Sequence, residues 1–200
     1  MVISKMSKVI GVIAEDQGDV DVVTNLLEKY VDRNKFSIKK FVGNGCGKLR
    51  NKCGSWANTL FESGCDHVLI FHDLDRNDEA ALREFLLTKV PIEKFPKSFI
   101  VIPIEEIEAW LLSDVVAVRD VFGLGVTPPK IHNCESIESP KEFLRDLVWK
   151  HGKKRYLNTT HNKKISERVT VENLRRCSSY KPFDEYVKST IFKLAVANQP

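Results

Sequence analysis

Asp73 and Asp75 stand two residues apart, directly after His67-Val68-Leu69-Ile70-Phe71 and His72. The apolar run is long enough for a strand buried on both faces and too short for a helix. Two carboxylates at a strand's carboxyl tip can project toward one point, and all-oxygen donors of that kind suit a hard divalent cation such as magnesium. A second apolar run, residues 8–14, ends in Glu15-Asp16. Glu105 and Glu108 follow a third such run, residues 98–104, and share one face of a short helix. Glu15, Asp73 and Asp75 are therefore candidate metal ligands, and Glu108 is a further one. Acids in a helix's first turn also complement its dipole, which accounts for Glu105 and Glu106 without a metal.

The elements that must position these acids follow from periodicity. Strands are expected at residues 8–14, 36–42, 67–71 and 98–104, with the second nearer the sheet edge because it alternates apolar and polar residues. Helices are expected after Asp16–Asp19, over 49–62 with Gly64 ending it, from Asp78 to Thr88, and over 105–114. Strands alternating with helices predict an α/β fold whose largely parallel sheet is flanked by helices, in the Rossmann manner. Ligands bind such sheets at the strands' carboxyl ends, where these acids fall. Residues 1–122 read as this core. Residues 123–200 read as a basic, mainly helical extension, with an irregular connection to Ser139, then helices over 141–149, 166–176 and 183–194 packed on the sheet.

Charge is divided unevenly. The chain of 200 residues has a net charge of +4, yet residues 141–181 hold 12 Lys or Arg against four acids. An acidic cluster in one part and a basic surface in the other suit a protein that acts on a polyanion. Candidate phosphate contacts are Lys48 beside the glycine loop, and Lys141, Lys163, Lys164, Arg175, Arg176 and Lys181 in the basic part. Cys46, Cys53, Cys65, Cys134 and Cys177 show no paired Cys-x-x-Cys spacing and read as reduced. With no apolar run near the length of a membrane span and no signal-peptide pattern, a cytoplasmic protein is expected. Gly43, Gly45 and Gly47 lack the spacing of a phosphate-binding loop or a dinucleotide fingerprint.

With Glu15 after the first strand and Asp73-Leu74-Asp75 after the third, residues 8–110 resemble the Toprim domain, the catalytic module of topoisomerases, bacterial primases and nucleases of the OLD (overcoming lysogenization defect) family. Residues 105–112, 138–144 and 177–183 are similar to segments of small stand-alone Toprim-like proteins. Asp16 stands where the Toprim motif commonly has glycine, and Asp19 falls where a second acid is expected. The resemblance implies a magnesium- or manganese-dependent endonuclease, with Glu15, Asp73 and Asp75 catalytic and Asp19, Asp78 or Glu108 completing a second metal site. It implies DNA in preference to RNA as substrate, a partner ATPase of the ABC/OLD type in anti-phage defence, and allows a homo-oligomer. The alternative is a non-catalytic Toprim-like subunit that binds nucleic acid or scaffolds the ATPase.

Other folds that use such acids fit less well. A receiver domain needs a lysine closing a later strand, and Pro103-Ile104-Glu105 supplies none. A haloacid-dehalogenase phosphatase carries Asp-x-Asp after its first strand, which here ends in Glu15. His72 precedes Asp73 but, by strand alternation, points to the opposite face and reads as a packed histidine.

Overall fold

A computed structural model describes residues 7–194 of the chain. The first half of it forms four strands alternating with helices: β1 (Lys8–Ala14), α1 (Gln17–Glu28), β2 (Phe36–Val42), α2 (Cys46–Glu62), β3 (His67–Phe71), α3 (Glu79–Lys89) and β4 (Ser98–Val101). All pairings are parallel, in the order β2-β1-β3-β4, with Ile10 opposite both Ile38 and His67 and Ile70 opposite Ile100. The fold is therefore α/β, with β2 on an edge as its alternating pattern requires. Among the described residues no helix is long and apolar enough to cross a membrane.

Strand alternation divides the core in two. Ile10, Val12 and Ala14 of β1, with Leu69 and Phe71 of β3, face α1. Ile13, Val68 and Ile70 face α2 and α3 on the other side. The chain leaves β1 toward β2 by way of α1, then crosses back to β3 by way of α2, so the connections diverge between β1 and β3. That divergence opens a crevice at the strands' carboxyl ends, the switch point where ligands bind open α/β sheets.

The remaining helices are α4 (Glu108–Leu112), α5 (Val115–Phe122), α6 (Pro140–Gly152), α7 (Asn158–Arg168), α8 (Val171–Leu174) and α9 (Tyr180–Tyr186), the last running into a π turn, Val187–Ile191. They bury Trp110, Leu144, Val148, Ile165, Tyr180 and Phe183 in the same apolar cluster as α1 and the sheet. Trp110, Tyr180 and Phe183 stack edge to face around Phe71 of β3. Polar ties complete the contact: Asn25 of α1 donates to the Lys163 carbonyl and the Ser166 hydroxyl of α7. The Tyr30 hydroxyl, just past the end of α1, donates to Asp184 of α9. The extension is thus helical and covers one face of the sheet.

Several boundaries differ from the sequence reading. The fourth strand ends at Val101 rather than residue 104, because Pro103 has no N–H for a ladder. The following helix begins at Glu108 rather than 105, after Glu105 adopts a φ of 59°. α5 was not anticipated; Asp114 caps it through the Ala117 amide, and Gly123 closes it in left-handed geometry. The helix expected over 166–176 is split: α7 begins at Asn158 and ends at Arg168, where Val169 turns extended and Thr170 caps the short α8. All five cysteines are free.

Two close contacts generate predictions. Gly54 of α2 lies against the backbone carbonyl of Lys89, and a Cβ there would collide with it. Gly54→Ala is expected to destabilise the fold by about 1–3 kcal/mol, measured by chemical denaturation. His67 is buried with Nδ1 3.3 Å from the Tyr186 hydroxyl, and burial, then Lys8, Lys97 and Lys193 against the opposing pull of Asp66, holds its pKa down to about 4. Because the unfolded value is about 6.5, the neutral ring's contribution is complete above that pH and is lost as pH falls toward 4. The stability difference between wild type and His67→Gln should shift by about 1–3 kcal/mol in favour of the variant between pH 7 and pH 4.5.

A candidate acidic metal centre at the switch point

The crevice between β1 and β3 is a cavity of about 290 Å³ lined by Glu15, Asp16, Asp19, Asn44, Gly45, Asp73, Asp75, Glu106, Glu108, Lys141 and Asn158. Seven carboxylates and one ammonium share it. Glu15 and Asp16 follow β1, and Asp16 and Asp19 close a reciprocal capping box on α1: the Asp19 amide donates to Asp16 Oδ1 and the Asp16 amide to Asp19 Oδ2, each at 3.0 Å. Those bonds fix the first turn of α1 and hold both acids at the cavity rim. Asp73 and Asp75 extend from β3. The Ile107 amide donates to Asp73 Oδ1 at 3.1 Å, tying the β3 tip to the start of α4.

Glu108 is 4% exposed and comes from α4. Its Oε1 accepts from Asn162 Nδ2 at 2.9 Å and lies 3.0 Å from the Tyr156 hydroxyl, which is also 2.6 Å from Asn162 Oδ1 and shares one proton between the two acceptors. Both contacts use Oε1, leaving Oε2 for the cavity. Glu106 Oε2 accepts from the Lys141 backbone amide at 2.8 Å, which docks the first turn of α6 against the site. Helices of the extension therefore orient two of the seven acids and supply the lysine.

Crowding like charges in a half-buried cleft raises their pKa values. Burial raises Asp73 well above the ordinary carboxylate value, and Asp19, Glu108, Asp75 and Glu15 push it further. Asp19 is pushed up to about 7, by burial first and then by Asp16. Glu15 and Glu106 are also raised by burial, with Asp75 and Glu108 respectively as the nearest contributing charges. For Lys141, burial lowers the pKa but Glu108, Glu106 and Asp16 outweigh it, so the ammonium is held charged.

The backbone carries strain at the same place. Asn44 at the cavity wall and Asp75 at its rim have positive φ values of 53° and 48°, and Arg76 and Glu105 beside them have 60° and 59°. Left-handed geometry costs a non-glycine residue on the order of 1 kcal/mol and concentrates at functional sites. Asp75 is held there by its amide, which donates to the Glu105 carbonyl at 3.2 Å. Gly45, with a φ of 123°, makes the turn into α2.

Glu15, Asp19, Asp73, Asp75, Glu108 and Lys141, all expected at the site from the sequence, are brought together. Asp78 is not: it is exposed and caps α3, accepting from the Ala81 amide at 2.8 Å. Arg175 grips Asp184 at 2.9 Å, and Arg176 donates to the carbonyls of Ser113 and Ile131, so both basic groups are used in packing the extension. Lys163 lies in a separate groove with Asp21, 4.0 Å away, and Lys48, Lys164 and Lys181 are exposed outside the cavity. Asp16 and Glu106 were missed as cavity residues. Asp16 had the signal of lying beside Glu15, whereas Glu106 is recruited by a bond from Lys141, 35 residues away. His72 turns to the α2 face, as alternation requires. Its Nε2 accepts from Arg50 Nε at 2.8 Å, so Nδ1 carries the proton and donates to the Asp73 carbonyl at 2.6 Å.

The family model described as a domain of unknown function, DUF4276, matches residues 14–187, from the end of β1 to the π turn. The chain belongs to that family. The match spans both the acidic crevice and the helices that complete it. No curated protein and no solved structure matches the chain.

The donor set fits a hard divalent cation: it is all oxygen, rich in negative charge and only partly solvated. Among the described residues no three acidic, histidine or cysteine side chains already stand as a closed metal cage. In the absence of divalent ions Asp73→Asn should melt higher than wild type, by a few degrees, since it removes one of the repelling charges. Millimolar magnesium or manganese should raise the melting temperature of wild type and leave that of Asp73→Asn unchanged; equal shifts would place the ion elsewhere.

Proposed function

We propose that this protein is a metal-dependent nuclease that hydrolyses phosphodiester bonds of nucleic acid, DNA in preference to RNA, as the effector of an ATPase-coupled anti-phage defence system. The observation that carries the nuclease reading is the acidic crevice itself, where carboxylates from β1, β3 and α4 meet a charged lysine at the switch point of a parallel sheet. The resemblance of Glu15 and Asp73-Leu74-Asp75 to the Toprim motif supports the same chemistry and is the ground for the partner ATPase.

In this reading Glu15, Asp73 and Asp75 hold magnesium or manganese, and Glu108 and Asp19 complete a second site. Bound there, a divalent cation supplies Lewis-acid stabilisation of the charge on the attacking and leaving oxygens and makes water more acidic. The chain's own residues do the rest. Glu15, at the tip of β1 in the cleft, is placed to take the proton from the attacking water at a carboxylate oxygen. Lys141 Nζ sets a positive charge against the phosphate oxygens. The Ile107 amide and the Asn162 side chain keep Asp73 and Glu108 in place, so that their remaining oxygens stay aimed at the cleft.

The test is cleavage of supercoiled, linear and single-stranded DNA and of RNA by the purified protein with magnesium or manganese. Asp73→Asn is expected to lower the rate by at least about 100-fold, an amount comparable to removal of one electrostatic contributor at a reaction centre, while its melting transition stays cooperative. An absence of cleavage by wild type on every substrate, with nucleic acid or an ATPase still bound, would instead assign a non-catalytic binding subunit.

A further inference from the structure

The helix that delivers Lys141 to the crevice continues away from it with a second feature that the acidic site does not use. In α6, Lys141, Arg145 and Trp149 are spaced i, i+4 and i+8, one stripe along the helix. The side packed into the core, through Pro140, Leu144 and Val148, lies about 100° around the helix from that stripe. Trp149 is 56% exposed, and Lys153 Nζ lies 5.5 Å from its ring centroid. Trp149 therefore presents an aromatic ring to solvent beside cations, the pairing of groups on which unpaired bases stack.

We infer that this stripe of α6 is a track for single-stranded nucleic acid, with Trp149 as a stacking platform for a base and Arg145 and Lys153 as backbone contacts, leading the strand to Lys141 at the mouth of the crevice. The inference rests on the nuclease reading for the direction of the strand and on the exposed face of α6 for its existence. The eight steps from Lys141 to Trp149 rise about 12 Å, a span that a few nucleotides of a single strand can follow. Single strands bind through cationic grooves combined with aromatic rings on which unpaired bases stack. A duplex has its bases stacked inside and offers Trp149 none, so the platform selects unpaired substrate.

The neighbouring charges agree with a track that is cationic without being uniformly so. Arg145 Nε is 3.3 Å from Asp146 Oδ1, but that pair is open to solvent, with side chains 55% and 76% exposed. Such a pair contributes little, and a phosphate can compete for the guanidinium. Glu142 lies beside the stripe nearer the crevice, while Lys150, Lys153, Lys154 and Arg155 are exposed around its far end. Positive charge therefore increases away from the acidic site, at the end where the strand would be held rather than cut.

The experiment measures binding of a fluorescent oligothymidylate and of a duplex with magnesium present, in the Asp73→Asn background so that the substrate stays intact. Trp149→Ala should weaken single-strand binding by about tenfold. Trp149→Phe, which keeps a ring, should bind within a few-fold of the parent, and duplex binding should be weak and unchanged. Arg145→Ala should lower the slope of log affinity against log salt by about one. Equal single-strand affinity for Trp149→Ala and its parent would overturn the track, as would an equal loss on duplex, an absence of binding by the parent, or Trp149-dependent capture of a protein instead of a strand. Cleavage by the Asp73-intact protein is read separately. Cleavage without a Trp149 effect removes the track and leaves the nuclease, while Trp149-dependent binding without cleavage supports the track and removes the nuclease.

Discussion

Seven carboxylates held in one crevice repel one another, and the rest of the structure is arranged to tolerate that repulsion. Asp73 shows the conflict most clearly: it is crowded by Asp19, Glu108, Asp75 and Glu15, and its proton affinity rises accordingly. What opposes the repulsion is local and specific. Backbone amides of Ile107, Asp16 and Lys141 donate to Asp73, Asp19 and Glu106, the Asn162 amide and Tyr156 hydroxyl hold Glu108, and Lys141 contributes a full positive charge. A chain selected for stability alone would not gather these acids, since each desolvated like charge is a cost without a compensating contact. Their gathering at the carboxyl ends of a parallel sheet is the physical argument for a cation there.

The helices beyond residue 122 belong to the site as much as the strands do. They share one apolar cluster with α1 and the sheet, and their polar ties reach the same helix from two sides. Asp184 anchors this contact. Burial would raise its pKa, but bonds from Arg175, Lys188 and Tyr30 hold it below the usual carboxylate range, so it remains an anion between two helices. A further pair of basic residues that could have faced a nucleic-acid backbone is thereby reduced to one outward guanidinium edge, because Arg176 is likewise spent on carbonyls of the α4–α5 and α6 approaches. The same packing sets α6 so that Lys141 enters the crevice while Trp149 stays outside.

Strand tips and helix caps were legible because they are local. Apolar runs of five to seven residues ending in acid placed Glu15, Asp73 and Asp75 at carboxyl ends, and parallel pairing of β1 with β3 brings those ends side by side. Period-2 alternation likewise sent His72 to the α2 face and Asp73 to the other. Asp78 shows the limit of this logic: an acid shortly after the same strand looks like another ligand, yet its carboxylate is taken by the Ala81 amide. An N-cap and a metal ligand have the same residue type and nearly the same sequence position, and only the direction of the chain after Asp75, turned by the positive φ of Asp75 and Arg76, separates them.

The sequence by itself determined the alternation of buried strands and amphipathic helices, the edge position of β2 and the acidic character of the strand tips, since each depends on residues within one or two turns of one another. Only the tertiary structure decided which charges are working groups. Glu106 joins the crevice through an amide 35 residues away, Glu108 is fixed by Asn162, and Lys141 alone of the candidate phosphate-binding cations lines the cavity. Charge along a chain does not say where a side chain's partner lies, because long, flexible basic residues form whichever contact the packing of distant helices places within reach.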